Sequence, residues 1–256
     1  MFADSLPRED STVSSPIVLF IHGMWADGAC WARYRRVFER QGFETHAPTL
    51  LFHETPQDMV GLRRTGIMDY VEQAVSVVRS LREPPIVVGH SMGALVAQKL
   101  AEQDLVRGLA LLASVAPAGI PCLTPTAFIS ISGNLVDILQ AKPFIMPPWN
   151  ARYGLTNTLS RREQDVVQQS LLYESGLALR EIVLGAIPVD ERRVRCPVMV
   201  GVGDEDRATP PSVARGIARK YHAELHRYDG RCHFIAGARD ILEDVLLWCQ
   251  KVGATA

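Results

Sequence analysis

This chain lacks a charge excess of either sign: 27 Lys and Arg stand against 28 Asp and Glu over 256 residues, for a formal net charge of -1. Without a global positive field, neither a nucleic-acid backbone nor an anionic lipid surface is an expected partner. Long hydrophobic runs are missing too, and no window approaches the roughly 18 consecutive apolar residues of a membrane span. Cysteine is sparse. Cys30, Cys122, Cys196, Cys232 and Cys249 are an odd number, widely spread, with no C-x-x-C pair. That pattern excludes a zinc ribbon or dithiol redox centre and reads as reduced thiols; no metal site and no cofactor are expected. Residues 1–15 carry Asp4, Glu9 and Asp10 and lack the basic start and apolar stretch of a secretory leader. They are expected to be a flexible segment of a cytoplasmic protein.

What is present is ordinary globular usage, 47% hydrophobic and 21% charged, at a length suited to one α/β unit. Short β-branched runs alternate with longer helix-period segments, which is the pattern of a mostly parallel sheet flanked by helices. The runs at 17–21, 43–47, 86–88, 109–113, 198–202 and 224–228 predict about six strands. Ile67, Tyr70, Val71, Ala74, Val75, Val78 and Leu81 recur at three- and four-residue steps and predict a helix that Pro84 stops. Residues 31–41 also read as helix, with Arg33, Arg35, Arg36 and Arg40 as its solvated face. Prolines at 117, 121, 125, 143, 147 and 148 then break the rhythm, and 161–184 predicts a helix interrupted near Gly176. The expected organisation is a core of 16–116 and 190–256 with a helical cap, 117–189, inserted over the strand ends where open parallel sheets bind ligands.

The third run leads into Gly89-His90-Ser91-Met92-Gly93 and then the helix-like Ala94 to Leu100. This is G-x-S-x-G between a strand and a helix. Its glycines allow a tight turn from which a serine hydroxyl projects at the sheet edge, making Ser91 the candidate nucleophile. A serine hydroxyl is a poor nucleophile at neutral pH. It needs a base within hydrogen-bond reach and an acid that orients the base.

Together with Val18-Leu19-Phe20-Ile21-His22-Gly23-Met24-Trp25 and Gly28-Ala29-Cys30-Trp31, this segment resembles the α/β-hydrolase superfamily, in its esterase and hydroxynitrile-lyase-like branch, over residues 16–251. The resemblance implies an α/β-hydrolase fold. Gly203-Asp204-Glu205-Asp206-Arg207-Ala208-Thr209-Pro210 is similar to the family's acid-bearing segment and selects Asp206 over Asp204, which lies nearer the strand end. Asp229-Gly230-Arg231-Cys232-His233-Phe234 is similar to the base-bearing loop and designates His233, although most relatives have glycine where Cys232 stands. The order Ser, Asp, His is the one that accompanies this fold. The resemblance further implies that the backbone N–H groups of Met24 and Met92 form the oxyanion hole, with His22 and His90 as hydrogen-bonding supports for their loops. Trp25 and Trp149 are the candidate substrate-binding residues, within an apolar lining that includes Phe144, Ile145 and Met146. His46, His53, His222 and His226 are expected on the surface or in satisfied polar roles.

The implied activity is hydrolysis of small, largely apolar carboxylic esters through an acyl-enzyme. The alternatives are a hydroxynitrile-lyase-type or C–C bond-cleaving reaction on the same residues and a non-catalytic receptor on the same fold. Relatives of the lyase type use a lysine near the base, and none of Lys99, Lys142, Lys220 and Lys251 adjoins His233. Haloalkane dehalogenases and epoxide hydrolases carry Asp where Ser91 stands, which disfavours their chemistry.

Overall fold

The computed structural model describes residues 15–54, 56–235 and 238–254, so all of the expected segment 1–15 except Ser15 lies outside the described residues. Six strands, β1 (Ile17–Ile21), β2 (Glu44–His46), β3 (Ile86–His90), β4 (Gly108–Leu112), β5 (Val198–Gly203) and β6 (Glu224–Tyr228), form one sheet in the order β2-β1-β3-β4-β5-β6. Every neighbouring pair is parallel. The strand β3 runs two residues beyond the expected stretch, because Gly89 and His90 still pair with Leu111 and Leu112.

Side chains along the central strands alternate between two buried layers, as the two-residue strand period requires. Val18, Phe20, Ile86, Val88, Ala110 and Leu112 face α1 (Ala32–Arg40) and α11 (Arg239–Gly253), which supply Tyr34, Phe38, Ile241 and Val245. Leu19, Ile21, Val87, Leu109 and Leu111 face α3 (Ile67–Ser80), α4 (Met92–Glu102) and α10 (Pro211–Tyr221), which supply Tyr70, Val71, Leu95 and Ile217. Helices cover both faces, so the inner strands β1, β3, β4 and β5 read as largely apolar runs instead of alternating ones, while the edge strands β2 and β6 carry polar residues.

Strand order reverses beside β1. The chain steps outward from β1 to β2 and then crosses back to β3, so the connections leaving β1 and β3 diverge and open a crevice at the strand ends. The loop after β1 and the turn after β3 meet there: a Cβ on Gly23 would lie 2.9 Å from Ser91 Cβ.

A short helix, α2 (Met59–Arg64), precedes α3. Between β4 and β5 lie α5 (Pro125–Ile131), α6 (Leu135–Leu139), α7 (Pro148–Gly154), α8 (Arg161–Ser170) and α9 (Gly176–Val183). The helix expected over 161–184 is therefore two, and the break spans 171–175. Ser175 caps α9 by accepting from the Ala178 N–H, and Gly176 sits so close to Lys142 that a Cβ would come 2.4 Å from its carbonyl oxygen. Glu174 forms an antiparallel bridge with Phe144. The helix expected over 31–41 begins with a 3-10 turn, Gly28–Trp31. Among the described residues no helix is long and apolar enough to cross a membrane.

Candidate active site

Ser91 occupies the one-residue turn between β3 and α4 with φ 53° and ψ -118°, a left-handed backbone that L side chains adopt only when the surroundings enforce it. The flanking glycines do the enforcing. A Cβ on Gly93 would lie 2.3 Å from the His22 carbonyl oxygen, and one on Gly89 would lie 2.6 Å from Ala94 Cα. Three other hydroxyl residues before helices, Thr124, Ser160 and Ser175, turn their oxygens back to accept a helix amide. The Ser91 side chain makes no such cap. Its Oγ instead lies 3.0 Å from His233 Nε2.

The second nitrogen of that ring, Nδ1, is 2.9 Å from Asp206 Oδ2. Asp206, Ser91 and His233 are all buried. Asp206 Oδ1 accepts from the N–H groups of Ala208 (2.9 Å) and Thr209 (2.8 Å), so a local turn fixes the carboxylate. The Thr209 hydroxyl is within 2.9 Å of Asp206 Oδ2, 3.2 Å of His233 Nδ1 and 2.8 Å of the Ala113 carbonyl. Thr209 was not singled out in the sequence; its signal was its place three residues after the acid. Asp204, the rival acid, bonds Arg227 Nε at 2.8 Å at the surface. Cys232 is buried and the histidine loop accommodates it, packed on Gly203, where a Cβ would meet the Arg231 carbonyl at 2.2 Å.

His22 and His90 hold the two loops. The Leu50 N–H donates to His22 Nε2 (2.9 Å), so the ring hydrogen is on Nδ1 and points at the Gly23 carbonyl (2.8 Å). The His90 Nε2–H donates to the His233 carbonyl at 3.0 Å. Burial, reinforced by the neighbouring His53, brings the His22 pKa down to about 4; burial and His233 bring that of His90 down to about 3. Both rings are neutral supports at neutral pH. Met92 opens α4, so its amide has no partner within the helix and lies at the positive end of the helix dipole. Met24 follows Gly23 in the adjacent loop and lines the cavity with Ser91.

Two lobes of empty space meet at Ser91 and His233. One, about 570 Å³, is walled by apolar residues of the segment between β4 and β5, including Ile131, Met146, Leu155, Leu179 and Ile182. The other, about 1310 Å³, opens past Asp27, Cys30 and Arg33. Trp25 lines both. Trp149 lines neither: it is 61% exposed and stacks on Tyr153 at 5.5 Å, one turn further along α7, which holds it on the outer surface. Of the other expected lining residues, Met146 reaches the smaller lobe and Phe144 packs behind Trp25, ring centroids 5.7 Å apart. No cluster of metal-ligating side chains occurs among the described residues.

A second buried cluster adjoins the first. The Glu174 carboxylate, fully buried, accepts from Tyr70 O–H (2.9 Å), Ser175 N–H (2.6 Å) and Trp25 N–H (3.4 Å), and lies 3.0 Å from His53 Nε2. His53 thus has the satisfied polar role expected of it. Glu174 carried no local sequence signal.

The model of the family described as "Alpha/beta hydrolase family" matches residues 18–241. A pyrethroid hydrolase of Sphingobium wenxiniae is 29% identical over 173 residues, 67% of this chain; the matched stretch spans only 55% of that relative's length. Among solved structures, a methylesterase from Arabidopsis superposes with TM-score 0.70 at 13% identity, covering 94% of this chain and 100% of that one. A pyrethroid hydrolase from Sphingobium faniae superposes with TM-score 0.67 at 19% identity, covering 92% and 98%. At such identities the superpositions establish the fold.

Proposed function

Because this chain belongs to the alpha/beta hydrolase family, we propose that it hydrolyses carboxylic esters, with Ser91 as nucleophile, His233 as base and Asp206 as the acid that orients it. The observation that carries this reading is the continuous contact from Ser91 Oγ through the His233 ring to Asp206, at 3.0 and 2.9 Å, opening on an apolar cavity. The names of the relatives, pyrethroid hydrolases and a methylesterase, point the same way.

In this reading Ser91 Oγ attacks the ester carbonyl carbon while its proton passes to His233 Nε2. The carbonyl oxygen takes the negative charge, and the amides of Met24 and Met92 are the donors that meet it. The adduct collapses as the carbon–oxygen bond to the alcohol breaks, and the alcohol leaves with the proton from His233. Water then attacks the acyl-enzyme, giving its proton to the same nitrogen, and Ser91 regains a proton as the acid departs. Asp206 accepts the Nδ1–H throughout, which keeps Nε2 free to receive.

The smaller lobe's apolar wall suits a neutral, apolar substrate portion. Residues 117–189 act as the cap over a core of 16–116 and 190–256; the supporting observation is that this segment supplies most of that wall. Lys99 and Lys220 pair with Glu102 and Glu191, and no lysine is among the described residues lining either lobe, so nothing favours the lyase alternative. The test is pre-steady-state turnover of a short-chain p-nitrophenyl ester. The wild-type protein releases a burst of nitrophenol, and Ser91→Ala abolishes it; a full-rate burst from Ser91→Ala overturns the assignment.

A further inference from the structure

We propose that Glu174 is a positioning residue for the donor loop at Met24 and Trp25: its buried carboxylate, paired with His53, holds that loop in its turn. The inference rests on the hydrolase reading above, in which the Met24 amide meets the developing oxyanion.

The loop does not hold its own shape. Trp25 lies at φ 60°, a left-handed conformation that a bulky residue adopts only under constraint. Both of its backbone polar groups are tied to one distant segment: Trp25 N–H donates to Glu174 Oε2 at 3.4 Å, and Trp25 O accepts from Leu172 N–H at 2.9 Å. That segment is fixed in turn by the bridge between Phe144 and Glu174 and by the Ser175 hydroxyl, which donates to the Thr65 carbonyl at 2.6 Å. The peptide carrying the Met24 amide therefore adjoins a turn whose conformation is set by residues some 150 positions away.

The clamp is a charged one, and geometry says so. His53 Nδ1 faces the Leu51 carbonyl and Nε2 faces Glu174, each at 3.0 Å, so both ring nitrogens meet acceptors and both need hydrogen. The carboxylate in turn meets three further donors, the arrangement of an ionised group. Burial alone would lower the His53 pKa and raise that of Glu174, yet their mutual attraction and hydrogen bonds outweigh it and move each the other way. A full negative charge on Glu174 is a stronger acceptor for the Trp25 amide than a neutral side chain.

The test separates positioning from general stability. An aryl trifluoromethyl ketone adds to a serine nucleophile and places an anionic oxygen at the donor loop; the matching secondary alcohol fills the same cavity without one. Wild-type protein binds the ketone far more tightly, and Ser91→Ala loses that preference. In Glu174→Gln the ketone-to-alcohol affinity ratio falls about 10-fold and kcat falls in parallel, while KM stays within about twofold, because a displaced Met24 amide weakens chiefly the contact made to the oxyanion. His53→Gln keeps a donor to Glu174 and removes the cation; it gives the same direction of change and serves if Glu174→Gln does not fold. An unchanged ratio in a folded variant, or equal losses for ketone and alcohol, overturns the proposal. A wild-type protein with no preference for the ketone overturns the hydrolase reading itself, and this inference with it.

Discussion

Among the described residues, two histidine–carboxylate pairs of nearly identical dimensions are buried. Asp206 and His233 are 2.9 Å apart, Glu174 and His53 are 3.0 Å apart, and all four side chains are buried. What differs is the partner of the second ring nitrogen. His233 turns its Nε2 to a hydroxyl, which both donates and accepts, so a proton can cross the contact in either direction. His53 turns its Nδ1 to a carbonyl, which only accepts, so a ring that satisfies both contacts carries both hydrogens and is held as a cation below its raised pKa. An imidazole and a carboxylate in contact are thus a proton relay or a static charge according to one atom in the next shell, and pair distance alone does not separate the two.

Isosteric removal of each carboxylate's charge should separate the two pairs by the widest margin. Asp206→Asn places an amide where the Nδ1–H acceptor should be; if the amide donates to Nδ1, the ring hydrogen moves to Nε2 and the serine faces a donor. Loss of the corresponding group in serine proteases costs about 10⁴-fold in kcat, and a fall of about 10³- to 10⁴-fold is expected here. Steady-state hydrolysis of an aryl ester checks it. A fall no larger than the roughly 10-fold expected of Glu174→Gln would mean that the two pairs do the same work.

The two pairs also differ in how far the sequence betrayed them. Ser91 was legible because its turn is local: two glycines within two residues of it are demanded by contacts of 2.3 and 2.6 Å that any Cβ would create. Asp206 and His233 were readable only through the family resemblance of the loops that carry them, and the structure brings the two side chains to 2.9 Å. The strands and the long helix α3 followed from apolar periodicity. Glu174 and His53, by contrast, are 121 residues apart, and no spacing rule connects them. The region around α7 misled for a related reason. A tryptophan in an apolar, proline-rich stretch reads as lining, but Trp149 is held outside by Tyr153, whose ring also lies 4.7 Å beneath the Arg207 guanidinium. Periodicity is weak evidence in a helix of seven residues.

A smaller but wider effect is the response of stability to pH, which tests the charges assigned to these rings. His22, whose neighbours are His53, Glu174 and Asp27, titrates near 4 when folded and 6.5 when free; His90, beside His233 and His22, titrates near 3. Between those values and 6.5 the unfolded chain binds protons that the folded one refuses, so stability falls as the pH falls, by about 1.4 kcal/mol per unit for each ring. Glu174, with its pKa lowered, adds a loss as the pH drops through its folded value. His53, with its pKa raised, acts in the opposite sense: its contribution is complete below 6.5 and disappears as the pH rises through its folded value. Denaturant midpoints should therefore peak near pH 6.5 to 7 and decline on both sides, steeply in acid. In His22→Gln the acid slope should lessen by about one ring's share. A flat acid limb in the wild-type protein would mean that His22 and His90 are not held neutral.

The smallest expected effect concerns the carboxylate that belongs to neither pair. Asp204 lies two residues before Asp206, close enough in sequence to compete for the same role, yet its side chain bonds Arg227 at the surface while its backbone N–H donates to the Tyr228 carbonyl. An ion pair that remains partly in water contributes little, because solvent screens it and two flexible side chains must be ordered to form it. Asp204→Asn keeps the backbone bond and loses only that pair, so ester hydrolysis should stay within about twofold of wild type, with a small loss of stability that vanishes at high salt. A loss approaching that of Asp206→Asn would mean that the His233 ring draws on both carboxylates, and the relay would then have to be redrawn with Asp204 in it.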